Sequence, residues 1–148
     1  MLSPQIRIIE PQSPQEFEAY YLVRYNILRK PWNQPLGSEK DNNELESIHA
    51  MAVNENNEVL GVCRLQFNSK TEAQLRFMGV TDEAQGLGIG RLLIDYMEHK
   101  AKNHGTKTMI LQARDNAVDF YKKCGYSVKE KTFLLWDLIQ HYLMTKDL

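Results

Sequence analysis

The run Gln85-Gly86-Leu87-Gly88-Ile89-Gly90-Arg91 is the segment whose residue types and spacing most clearly suit chemistry. Glycine lets a backbone come close to a ligand. From the end of this run the apolar residues Ile89, Leu92, Leu93, Tyr96, Met97 and Ala101 fall at i, i+3, i+4, i+7, i+8 and i+12, the period of an amphipathic helix. A helix start offers unpaired N–H groups and the positive end of the helix dipole. Loop and helix together therefore make a cradle for a pyrophosphate, to which Arg91 adds charge. No Gly-Lys-Ser/Thr follows, so this is not a Walker A loop, and the glycines are spaced as Gly-x-Gly-x-Gly rather than Gly-x-Gly-x-x-Gly. A second run, Asn116-Ala117-Val118-Asp119-Phe120-Tyr121-Lys122-Lys123-Cys124-Gly125-Tyr126, sets a phenol on a short helix after an apolar strand. Taken alone, a tyrosine so placed belongs to the core or its rim.

The elements that must position these residues fit one domain, residues 1–148. With 43% apolar and 25% charged residues the chain has the makings of a single core. The formal charge is −1, which argues against a dedicated nucleic-acid binder but leaves room for a local anion site. Cys63 and Cys124 form no CxxC pair and read as small core residues, and a reducing cytoplasm is the expected location. Residues 1–10 lack the apolar centre of a signal peptide. Phe133-Leu134-Leu135-Trp136, the longest apolar stretch, stops at Asp137, far short of the roughly 18 residues of a membrane span.

Ile6, Ile8 and Ile9 suggest a first strand. Ser13-Pro14-Gln15-Glu16 then starts a helix with a capping box, running to about Arg29 with Phe17, Tyr21 and Leu28 near one face. Residues 31–46 are polar and punctuated, a loop too long for a plain connector. Strands over 48–53, 59–67 and 73–80, separated by short polar turns, predict an antiparallel meander. The long helix from Ile89 ends at His104-Gly105, and Lys107 to Ala113 reads as a buried strand. Asp115 or Asn116 caps a short helix with Ala117, Phe120, Tyr121 and Cys124 on one face, and Gly125 stops it. Residues 126–129 and 141–145 look like two last strands, joined by an apolar connection containing Trp136. The order strand, helix, three strands, helix, strand, helix, two strands is a mixed α/β sheet. The strand–helix–strand unit over 73–113 should be parallel.

The two runs resemble the acyl-CoA-dependent N-acetyltransferases of the GNAT superfamily. Gln85, Gly86, Gly88 and Gly90 match the loop after their fourth strand. Asn116, Phe120, Tyr121, Lys123, Gly125 and Tyr126 match a later signature, and the element order is also theirs. More loosely, Arg24 through Pro31-Trp32-Asn33-Gln34-Pro35 to His49, with Gln140-His141-Tyr142-Leu143-Met144, is similar to a bacterial ElaA-type subgroup. The resemblance implies a cleft between splayed fourth and fifth strands that takes acetyl-CoA as co-substrate. In it, backbone groups of Met78, Gly79 and Val80 would pair with the pantetheine arm. The N–H groups of Gln85 through Arg91, with Leu87 and Ile89 among them, would hold the pyrophosphate. Asn116, Phe120 and Lys123 would flank the cofactor, and Tyr121 would face its sulfur as a proton donor.

The fourth-strand glutamate that many members use as a base is absent: Gln74, Arg76 and Phe77 stand there, with only Glu72 at the start. Candidates for the base are His49 and the loop acids Glu39, Asp41 and Glu46. Glu46-x-x-His49 has the spacing of a helical metal pair, but a strand begins at Ile48 and no second pair exists, so no metal is expected. His99 and His104 read as solvated. The acids of residues 39–46 suit a cationic amine and equally suit a solvated loop. The leading function is transfer of an acetyl group from acetyl-CoA to a small-molecule or peptide amine by direct attack on the thioester. The alternatives are a non-catalytic acyl-CoA sensor and a partner-binding domain anchored by Trp32 and Trp136. A homodimer is compatible with the chain, whereas nucleic acid and membrane are not expected partners. Gly88→Glu sets a bulky anion where the pyrophosphate would lie. Isothermal titration should show acetyl-CoA affinity lost in the folded variant.

Overall fold

Ser13 opens the first helix with a reciprocal cap in this computed structural model, which describes residues 5–148. The Glu16 N–H donates to the Ser13 hydroxyl at 3.1 Å, and the Ser13 N–H donates to the Glu16 carboxylate at 3.1 Å. Residues 1–4 of the segment read as lacking a secretion signal lie outside the described residues. The strands are β1 (Arg7–Ile9), β2 (Ile48–Val53), β3 (Val59–Phe67), β4 (Glu72–Val80), β5 (Thr108–Arg114), β6 (Ser127–Leu135) and β7 (Ile139–Asp147). The helices are α1 (Pro14–Leu28), α2 (Ile89–Asn103) and α3 (Val118–Lys123). The strands form one sheet in the order β1-β2-β3-β4-β5-β7-β6. All neighbours are antiparallel except β4 and β5, the pair bridged by α2. No helix among the described residues is long and apolar enough to cross a membrane.

Alternation along β2 sorts the core into two layers. Ala50 and Ala52 face the cluster containing Leu93, Met97 and Ala101 of α2, while Met51 and Val53 face Tyr20 of α1. The small alanines leave room for a helix, and Tyr121, Cys124 and Tyr126 complete the α2 side. Cys63 and Cys124 are buried free thiols.

Three local expectations are corrected. The apolar connection after residue 129 is strand: Leu134 pairs with Gln140 and Leu135 with Ile139, so β6 and β7 form a long hairpin. Its turn at Trp136 and Asp137 has both residues at positive φ, 52° and 56°. The short helix has no side-chain cap at its start, because Asp115–Ala117 forms a preceding 3-10 turn. The buried face of α1 carries Tyr20, Arg24 and Leu28 rather than Phe17 and Tyr21. A charged residue on the inner face hides that face from an apolar-periodicity reading.

Arg24 and its β3 counterpart Arg64 are both fully buried, at 0% exposure. Such charges survive only with partners. Glu44 supplies one carboxylate oxygen to each, 2.9 Å from Arg24 Nη1 and 2.7 Å from Arg64 Nη1. Asp41 receives both Arg64 Nη1 (2.6 Å) and Nη2 (3.0 Å), and Arg24 Nη1 also donates to the Glu39 carbonyl at 3.0 Å. The acidic loop is thus a strap turned inward over two arginines, not a solvated surface. Removing the charge of Glu44 leaves two buried guanidiniums short of a partner. Glu44→Gln should cost about 3–5 kcal/mol and lower Tm by roughly 6–20 °C in thermal unfolding.

Candidate functional site

The β4–β5 ladder runs only from Glu72 and Thr108 to Leu75 and Leu111. Beyond that point the two strands separate, and the opening is built from this splay. On the β3 side, Phe77 and Met78 together face the single residue Cys63, a β-bulge that bends β4. Phe77 is held at φ 54°, a strained value for a bulky residue. Its ring has the guanidinium carbons of Arg24 at 4.3 Å, Arg64 at 4.8 Å and Arg76 at 5.0 Å from the centroid. Cation–π attraction to several arginines offsets part of the strain.

Two cavities meet at the splay. One, of about 560 Å³, runs along the bulged end of β4 to the glycine loop and is lined by Met78, Val80, Gln85, Gly86, Asn116 and Phe120, among others. Gly79, Gly88, Ile89, Gly90 and Tyr121 line it too. Gly86 and Gly88 adopt φ of 82° and 78°, and a Cβ on either would enter open space, so the loop backbone faces outward unobstructed. The first helical bond of α2 is from Leu92 N–H to Gly88 O, which leaves the N–H groups of residues 89–91 free of helical partners. Gly90 has a different job. A Cβ there would lie 2.9 Å from the Phe120 ring, so glycine lets α3 pack on the start of α2. The Gln85 amide donates to the Val80 carbonyl at 3.0 Å and ties the loop to the strand end.

The side chains of three residues expected at the cofactor are not among those lining this cavity. Leu87 and Lys123 are exposed beside it. The Arg91 guanidinium turns to the end of α3, donating to Lys123 O at 3.1 Å.

The second cavity, of about 430 Å³, lies against β4, β5 and the β6–β7 hairpin, with Arg29, Arg76, Phe77, Gln112, Arg114 and His141 among its lining residues. Met78, Ala117 and Tyr121 line both cavities. Tyr121 is buried, and its hydroxyl makes no hydrogen bond to the described residues. Burial raises its pKa, so it stays a phenol.

His49 and Glu39 are not at either cavity. Burial lowers the His49 pKa against the Glu44 carbonyl, and both ring nitrogens are engaged: Nδ1 with the Tyr20 hydroxyl at 2.8 Å, Nε2 with Glu44 O at 2.7 Å. The buried Glu39 carboxylate accepts from the Gly37 N–H at 2.7 Å. Burial pushes the Asp41 carboxyl up, but its bonds to Arg64 prevail and hold it at about 2. Glu46 ends a 3-10 turn on the strap. These residues shape the strap, and none reaches the point where the cavities meet.

A titratable residue that sequence reasoning left without a role, His141, lines the second cavity together with Tyr121. It pairs with Arg114 across β5 and β7 and stacks on Phe133 at 4.4 Å and 13°. Its Nδ1–H donates to the Ile139 carbonyl at 3.0 Å, which leaves the Nε2 lone pair as acceptor. Burial lowers its pKa below 6.5, with Arg114 acting in the same sense against the Ile139 carbonyl. A strand histidine followed by alternating residues carries no sequence mark of this. Its lone clue was the His141-Tyr142-Leu143-Met144 ending.

Residues 11–126 match the Acetyltransferase (GNAT) family. The chain belongs to that family. The N-acetyltransferase YjcF of Bacillus subtilis (strain 168) is 31% identical over 140 residues, covering 95% of this chain and 98% of YjcF. An aminoglycoside 6'-N-acetyltransferase solved in complex with coenzyme A superposes with a TM-score of 0.80 at 17% identity, over 97% of this chain and 96% of the other. Escherichia coli ElaA gives 0.80 at 16% identity, over 97% and 99%. The fold expected from the resemblance is therefore that of the family.

The buried histidines set a pH dependence for this acetyltransferase. The unfolded chain takes up protons at a histidine pKa near 6.5, while folded His49 and His141 resist until lower pH. Stability from this source is full above 6.5 and falls as pH drops below it; the loss tied to Asp41 starts only below about 3.8. Thermal unfolding should therefore show Tm falling between about pH 7.5 and pH 5.5.

Proposed function

We propose that the protein transfers an acetyl group from acetyl-CoA to a primary amine, with the thioester seated at Tyr121. The observation that carries this reading is the meeting of two cavities at one buried phenol. In this reading the pyrophosphate lies on the loop 85–91 and the N–H groups at the start of α2. The pantetheine arm follows β4 past its bulge, and the amine comes from the cavity of Arg114 and His141. Residues Met78 to Val80, Asn116 and Phe120 line the donor path.

Amine nitrogen attacks the thioester carbonyl carbon, an N–C bond forms, and the C–S bond breaks to release the CoA thiolate. His141 takes the surplus proton of the nitrogen at Nε2 and passes it to solvent. It is suited to this because its lowered pKa keeps it neutral at pH 7. The backbone around the bulge, freed from the β4–β5 ladder, offers an N–H to the developing oxyanion. Tyr121 acts on the sulfur. An ordinary phenol already lies above a thiol's pKa of about 8.5 and burial raises Tyr121 further, so full proton transfer to the thiolate is uphill. Tyr121 therefore serves by donating a hydrogen bond to the departing sulfur, which leaves as the thiolate and gains from solvent the equivalent of the proton that His141 releases.

Thiol release with an amine panel separates an enzyme from an acyl-CoA sensor, which would bind without turnover. Tyr121→Phe removes one preorganised donor and should lower the single-turnover rate about tenfold to a thousandfold, with acetyl-CoA affinity and Tm little changed. His141→Gln should lower kcat/KM by about a hundredfold or more. In the wild type, log kcat/KM should steepen only on the acid side of the ordinary histidine range, because burial lowers the His141 pKa, and that extra slope should vanish in the glutamine variant.

A further inference from the structure

We infer that the amine acceptor carries an oxyanion, a carboxylate or a phosphonate, which Arg29, Arg76 and Arg114 seat in the cavity opposite the donor cleft; this rests on the acetyl-transfer reading above. The three arginines come from three separate elements, the end of α1, β4 and β5, and all three line one cavity whose lining contains no Asp or Glu, with Arg114 and Arg76 close enough to act on Arg29. The chain as a whole carries a formal charge of −1, so this positive concentration is local.

Their present partners leave the charges largely uncompensated. Arg114 has no carboxylate within 4 Å among the described residues; its guanidinium lies over the Trp32 ring at 5.9 Å. Arg29 spends two donors on the carbonyls of Ser38 and Leu28, which carry no net charge. Arg76 reaches Asp41 at 3.4 Å, but that carboxylate is already held by Arg64 at 2.6 and 3.0 Å. The contrast with Arg24 and Arg64 is direct: the two structural arginines are buried and share Glu44, whereas the cavity arginines are partly exposed and lack a carboxylate of their own. Arg29 is depressed first by burial and next by Arg114, Arg76 and Arg24, with the weaker opposing pull of Glu39 failing to offset these like charges.

A site of this kind repels a plain ammonium and admits one only if the same molecule brings negative charge. Guanidinium forks match carboxylate and phosphonate oxygens in a planar, bidentate way. Once seated, the amine stands in a positive field beside neutral His141, which favours its unprotonated, nucleophilic form. The cavity, about 430 Å³, suits a small acceptor such as an amino acid or an aminophosphonate. Of the acids of residues 39–46, which suit a cationic acceptor on sequence alone, Asp41 and Glu44 face Arg24 and Arg64 instead, and Glu39 is tied to the Gly37 N–H.

Matched pairs test this directly: amino acids and aminophosphonates against the same amines lacking the acid group. Two readouts are used. The first is thiol release from acetyl-CoA. The second is equilibrium binding followed by tryptophan fluorescence, because Trp32 and Trp136, the two tryptophans of the chain, lie beside Arg114 and Arg29. The acid-bearing member should be favoured by about tenfold to a hundredfold in kcat/KM and in binding. Arg114→Gln and, independently, Arg76→Gln should erase most of that preference, with thermal unfolding confirming that each variant folds. The carboxylate and phosphonate arms report which oxyanion is preferred. Equal or better use of the neutral amines, an unchanged preference in both variants, or no binding of any oxyanion at millimolar concentration overturns the inference. Turnover confined to neutral amines would leave acetyl transfer standing. Selective oxyanion binding without any turnover would uphold the anion site and sink the catalytic reading.

Discussion

Two guanidinium groups buried away from bulk solvent must find negative charge, and the fold is arranged around that demand. Arg24 on α1 and Arg64 on β3 sit at 0% exposure, and Glu44 divides its two oxygens between them. The strap carrying Glu44 and Asp41 is thereby fixed over the sheet. The arginines in turn lie against the ring of Phe77, at the bulge that turns β4 away from β5. Burial of two charges, closure of the strap and opening of the cleft are linked by shared side chains. A buried ion pair adds little net stability compared with apolar packing. Its effect here is geometric, because only one placement of the strap satisfies both arginines.

What could be read from the sequence was local. The glycine loop, the helix behind it and the meander rest on spacings within a few residues, and each lies within a residue or two of its expected bounds. The capping box at Ser13 was equally plain. Pairings over long separations were not legible. Glu44 is twenty residues from either arginine, and nothing in a polar stretch distinguishes an acid that points inward from one that points to water. Periodicity also failed on α1, since the buried face contains Arg24. The hidden part of the candidate site has the same origin. His141 gains its free lone pair from a bond to Ile139 O and its neutrality from burial, and neither is written in residue type. The bulge at Phe77 arises where one strand has one residue more than its neighbour, a count that only the pairing reveals.

The two sides of the candidate site are built from different materials. On the proposed reading the donor side is mostly backbone: free N–H groups at a helix start, glycines at positive φ, and strand edges left by the splay. Such a surface depends little on side-chain identity. The acceptor side is mostly side chain, with arginines from separate elements, a histidine and the hairpin aromatics. On that reading, changes confined to those side chains would alter which acceptor fits without disturbing the donor cradle.

The shared phenol also bears on the order of events. Tyr121 belongs to both cavities, and the chain's two thiols are poorly suited to storing an acyl group between encounters. Cys63 is fully buried, and burial pushes its pKa up to about 12. Cys124 is buried and raised in the same way. On the proposed reading there is no resting place for the acetyl group on the protein. Donor and acceptor must then occupy their cavities together, and initial-velocity plots would intersect rather than run parallel.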